Sequence, residues 1–109
     1  GLDIARELGH PWRITRFLAQ LGELALLEEK WGPAAAQFRE VQVIAEESGS
    51  LVMAAIALFG LARAAHGLNQ GEAARRNAQA SLEIFKRIGH HQAGEVEIWL
   101  LESTRLAHR

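Results

Sequence analysis

Apolar residues recur along this chain every three or four positions, in blocks separated by glycine or proline. In PWRITRFLAQLGELALLEEKWG the series Ile14, Phe17, Leu18, Leu21, Leu24, Ala25 predicts one apolar helix face. In PAAAQFREVQVIAEESGS the series Ala34, Phe38, Val41, Ala45 does the same, and Gly49 supplies a C-terminal stop. LVMAAIALFGLARAAHGLNQ is alanine-rich and reads as a third helix, closed by Gly67 to Gly71. GEAARRNAQASLEIFKRIGH carries Ala74, Ala78, Ser81, Leu82 and Phe85 and stops at Gly89, and HQAGEVEIWLLESTRLAHR reads as helical to its end. Pro11 and Pro33 stand where a helix can begin, since a missing N–H costs least there. No long period-2 alternation suggests a strand, so the predicted class is all-α.

The pattern repeats. Gly9, Gly49 and Gly89 are spaced by 40 residues, each at the end of a charged helix terminus: ARELGH, AEESGS and FKRIGH. The same shift places Leu18 on Leu58 and Ile98, Leu21 on Leu61 and Leu101, Gly22 on Ala62, Ala25 on Ala65 and Ala34 on Ala74. Small residues matched to small ones mark places where two helices approach closely, as stacked hairpins require. The predicted unit is a helix–turn–helix pair. A single domain over 1–109 is expected, with the end of one unit in 1–9, units in 10–49 and 50–89, and the first helix of a further unit in 90–109.

On these residues the chain resembles a tetratricopeptide repeat. Leu21-Gly22, Ala25, Trp31, Ala34 and Phe38 fall where that family has its Leu-Gly pair, small helix-A residue, turn aromatic, close-packing alanine and helix-B aromatic. In the second unit Leu61-Ala62, Ala65, Leu68 and Ala74 fit, but Gly71 replaces the turn aromatic and Ala78 the helix-B aromatic. The third keeps Ile98 and Leu101 and has Glu102 where a small residue is expected. The unit is longer than the usual ~34 residues. In this it is similar to the long arrays in large bacterial signalling ATPases and transcriptional activators. The resemblance implies an α-solenoid of antiparallel hairpins serving protein–protein interaction.

Composition narrows the chemistry. The chain has 109 residues, 49% apolar and 23% charged, which is ordinary for a globular domain. Twelve basic and thirteen acidic residues leave a formal charge of −1, giving no electrostatic reason to expect nucleic acid or an acidic membrane surface. No cysteine is present, which removes disulfide and thiolate chemistry. No apolar run approaches the ~18 residues a spanning helix needs, and GLDIARELGH lacks the order of a signal peptide. The expectation is a cytoplasmic segment of a longer regulatory protein, since the first residues read as mid-helix.

Candidate catalytic constellations fail one by one. His90 and His91 precede Glu95, and His91 with Glu95 has metal-ligand spacing. No third ligand lies nearby and HExxH is absent, so the stretch reads as a solvated turn with Glu95 near a helix N-terminus. GLNQGEAARR lacks the Gly-Lys-Ser/Thr ending of a phosphate loop, and no serine sits in a nucleophile motif. Arg75 and Arg76 read as an outer solvated face rather than a nucleic-acid contact. No enzyme activity, cofactor or metal is expected.

What remains is surface. The resemblance puts the first helix of each unit on a concave wall carrying Arg16, Gln20, Glu23, Ile56, Phe59, Arg63 and His66, together with Ala19, Leu27, Trp99 and Ser103. A peptide or small ligand held there is one reading. The family's carboxylate clamp is not supported, because Ala19, Glu23 and Leu27 stand where it would need lysines and an asparagine. Phe59 and Trp99 read either as a binding shelf or as packing between neighbouring helices. Ile98, Trp99, Leu100 and Leu101 are consecutive and apolar, and with Val96 they spread around most of a helix. A terminal helix without a polar outer face predicts a covering neighbour, either the next helix of a longer parent protein or a second copy of the chain. For the chain alone a symmetric homodimer sealed through residues 94–106 is expected.

Overall fold

A computed structural model describes residues 11–107, with side chains described for 12–104. Five α-helices fill this span and no strand occurs among the described residues: α1 (Pro11–Leu27), α2 (Trp31–Ser48), α3 (Leu51–Gly67), α4 (Gly71–Arg87) and α5 (Ala93–Ala107). Gly9 and the final two residues lie outside the described residues. Helix α2 begins two residues before Pro33, which therefore occupies the first turn, where its missing N–H has no partner to lose.

Backbone geometry repeats with the chain. Helices α1 and α3 begin and end 40 residues apart. The turn inside each hairpin carries a left-handed residue, Glu29 (φ 59°) or Asn69 (φ 62°). The turn after each hairpin carries left-handed Gly49 (φ 70°) or Gly89 (φ 67°). The hydrogen bonds agree: Lys30 N donates to Ala25 O at 2.8 Å and Gln70 N to Ala65 O at 2.9 Å. Ser50 N donates to Ala45 O at 3.0 Å, and His90 N to Phe85 O at 2.8 Å. Ser50 then caps α3, its Oγ accepting from Met53 N at 3.2 Å and satisfying one of the orphan donors of the first turn.

Each helix packs on the next, and α1 also packs on α3. The described chain is a slab 18 Å in its thinnest direction, about two helix diameters deep. Phe38 of α2 is fully buried between two glycines. A Cβ on Gly22 of α1 would stand 2.5 Å from its ring, and one on Gly60 of α3 would collide with it. Bare backbone on two helices therefore makes room for one aromatic side chain of a third. At the C-terminal end of α3, a Cβ on Gly67 would collide with the indole of Trp31.

The interior comes in neighbouring clusters. Leu18, Val41, Ile44 and Ala57 join α1, α2 and α3. Ala25, Ala34, Ala35 and Ala64 join the same helices nearer the first turn. Ala55, Phe59, Ala62, Ala78, Phe85 and Val96 join α3, α4 and α5. Most of these residues are alanines, so the stability comes from close backbone approach rather than bulky side chains. Ser81, fully buried on α4, donates its hydroxyl to Ala55 O of α3 at 2.7 Å, satisfying the one polar atom its burial would strand.

Two sequence expectations need correction here. Phe17 and Leu24, counted in the apolar stripe of α1, are 59% and 52% exposed. The helix meets its neighbours through Thr15, Leu18, Gly22 and Ala25, and its apolar arc is wider than the face that α2 and α3 cover.

Candidate functional site

One side of the molecule is built from the odd-numbered helices, and the residues expected on a concave wall divide there into distinct environments. Arg16 and Gln20 of α1 are exposed, and Ile56 of α3 is half-buried. All three line a half-open groove of about 570 Å³ between α1 and α3. Trp12, Thr15, Ala19 and Met53 also face it. The buried Thr15 hydroxyl lies 2.9 Å from its helical acceptor Trp12 O and 3.2 Å from Met53 Sδ. The Arg16 guanidinium sits over the Trp12 ring, 5.6 Å from its centroid. Among the described residues Arg16 is the one charged residue lining the groove, whose surface is otherwise mainly apolar.

Further along, Glu23 and Arg63 are committed to each other. Arg63 donates to both carboxylate oxygens, at 2.9 and 2.5 Å, in a two-point pair that bridges α1 and α3. Its guanidinium also lies 4.2 Å from the centroid of Phe59, and its Nε donates to Phe59 O at 3.3 Å. Phe59 is buried and meets Trp99 edge to face, with centroids 5.9 Å apart. The two aromatics thus pack a helix seam instead of forming an open shelf. His66 is exposed and approaches Trp99 edge-on at 5.6 Å.

On α5, Val96 is fully buried in the chain's own core, with Trp99 and Leu100 partly buried against the same cluster. Ile98 and Leu101 point away, 59% and 71% exposed. Of the five residues expected at a dimer interface, only these two present their side chains outward. The reason is periodicity: positions 96, 99 and 100 share one face of a helix, and 98 and 101 lie on another.

The paired histidines belong to the turn between α4 and α5. His90 stacks on Phe85 at 4.9 Å and on His91 at 4.4 Å, and its Nδ1 accepts from Gln92 N at 3.2 Å. Glu95 lies in the first turn of α5. No group of three His, Asp or Glu side chains suited to a metal occurs among the described residues. Arg75 and Arg76 are exposed on α4. No helix among the described residues is long and apolar enough to cross a membrane.

The sequence reading missed Trp12, Thr15 and Met53 as groove residues. A signal was present: the 40-residue shift pairs Ala19 with Phe59 and Trp99, so the first seam lacks the ring that the next one carries.

No protein-family model, no curated protein and no solved structure matches this chain.

Proposed function

We propose that the chain is a non-catalytic interaction and assembly scaffold, a tetratricopeptide-like α-solenoid of the kind found in large bacterial regulators. The observation that carries this reading is the recurrence of hairpin geometry, with left-handed turn residues at 29 and 69 and again at 49 and 89. Stacked hairpins of this kind offer continuous surface for partners and need no reacting group. Assembly runs through the outward side of α5, where Ile98 and Leu101 are exposed large apolar side chains.

Sedimentation velocity over a roughly hundredfold range of protein concentration tests the assembly. A dimer that forms with concentration and is weakened in Leu101→Asp supports it; a strict monomer overturns it. Leu101 is the appropriate site because Trp99 packs against Phe59, so a charge there would disturb the fold as well as any interface.

A second reading, a peptide- or ligand-binding domain, is favoured by the groove between α1 and α3. Its volume of about 570 Å³ falls in the range of ~300–1,000 Å³ common to ligand sites.

A further inference from the structure

The two seams between odd-numbered helices are built from equivalent positions, yet one is filled and the other is open. At the α3–α5 seam Phe59 fills the space and meets Trp99. At the α1–α3 seam the residue 40 positions earlier than Phe59 is Ala19, and it lines the groove. The groove therefore includes the place that a ring takes in the next seam. A second substitution accompanies the first. Where Ile56 stands on α3, Arg16 stands on α1. Its guanidinium lies over the Trp12 ring and has no carboxylate partner among the described residues. The open seam has thus exchanged an aromatic and an aliphatic side chain for a void and a cation.

We infer that this groove is a docking site for a peptide segment carrying an aromatic side chain next to a carboxylate, the ring entering beside Ala19 and the carboxylate meeting Arg16. The inference rests on the groove reading above and is independent of assembly through α5. Its argument is complementarity of shape and charge. The chain itself shows what fills such a seam, and among the described residues the only charge lining this one is positive. Burying an aromatic ring supplies most of the gain in contacts of this type. A carboxylate paired with arginine adds direction, because the guanidinium fork fixes the geometry of its acceptor. Trp12 gives the cation an aromatic face to lie over, 5.6 Å from the ring centroid.

The test uses fluorescein-labelled peptides, amidated at the C-terminus, with the core Ser-Glu-Phe-Glu-Ser. Matched peptides replace Phe by Ala or both Glu by Gln, and binding is read by fluorescence polarisation. Saturable binding is expected, weakened about tenfold or more by loss of the ring. Arg16→Glu should weaken it comparably, and the weakening should shrink for the Gln peptide. Ala19→Phe places in the open seam the residue that fills the next one. It should abolish binding while the thermal midpoint holds or rises. Should Ala19→Phe unfold the chain, Arg16→Glu, at an exposed position, still decides the matter. Binding that ignores both the ring and Arg16 but still perturbs Trp12 overturns the inference and leaves the groove reading standing. Absence of binding by every peptide overturns both.

Discussion

The ring of Phe38 occupies the place where a Cβ on Gly60 would have to stand. Phe38 is fully buried, so the ring has nowhere to retreat. Gly60→Ala should therefore destabilise the chain by about 1–3 kcal/mol, the usual cost of overpacking a closed core. Gly32→Ala is the control, since nothing lies within 4 Å of its added methyl. It should stay within about 0.5 kcal/mol of the parent. Urea unfolding of the two variants measures the difference, and equal midpoints would refute the close approach.

The left-handed turn residues give a prediction with opposite signs at equivalent kinds of site. Gly49 adopts φ 70°, so Gly49→Ala should cost about 1 kcal/mol. Glu29 adopts φ 59° with a side chain that the conformation disfavours. Glu29→Gly should be neutral to stabilising by up to ~1 kcal/mol, because relief of the strained backbone outweighs the entropy glycine adds to the unfolded chain. Thermal denaturation reads both. A loss of stability in Glu29→Gly would mean that the glutamate side chain contributes more than its backbone costs.

Glu23 and Arg63 form the bridge between α1 and α3, with side chains 49% and 21% exposed. Water reaches the pair, so a double-mutant cycle to alanine should give a coupling of about 0.5–1 kcal/mol, and the coupling should fall as salt is raised. Arg63→Ala alone should cost more than Glu23→Ala. The guanidinium also lies against Phe59 and donates to its carbonyl, and neither contact needs the carboxylate. Equal single-variant costs would contradict that asymmetry.

Ser81 tests the one buried polar link between α3 and α4. Its hydroxyl donates to Ala55 O with no solvent nearby, and Ser81→Ala should cost about 1 kcal/mol. Ser103 makes the weaker choice, donating to Leu100 O of its own helix at 3.1 Å. Ser103→Ala should change stability by less than ~0.5 kcal/mol. Hydrogen exchange of the α3 amides offers a second readout for Ser81.

Much of the fold was legible because helices announce themselves locally. Ala34, Phe38, Val41 and Ala45 recur at helical spacing and are all buried. The 40-residue shift between Gly49 and Gly89 reappears as matching φ angles and matching turn hydrogen bonds. The groove side was legible in part. Arg16, Gln20 and Ile56 do face one space, whereas Phe59 and Val96 are core residues and Glu23 is tied to Arg63. Helical periodicity says which residues share a face but not how many neighbours that face has. This is why Phe17 and Leu24 were placed in a stripe that α2 and α3 leave uncovered.

The sequence by itself determined the helices, their breaks and their period, since these follow from φ/ψ preferences and from the spacing of apolar side chains within a single turn or two. Only the tertiary structure decided that Phe38 lies between Gly22 and Gly60, that Arg63 is used by Glu23, and that Ala19 leaves open the seam that Phe59 closes one unit later. Those outcomes depend on the distance between helix axes. That distance is set by the sum of side chains from three helices at once, and no local pattern carries it.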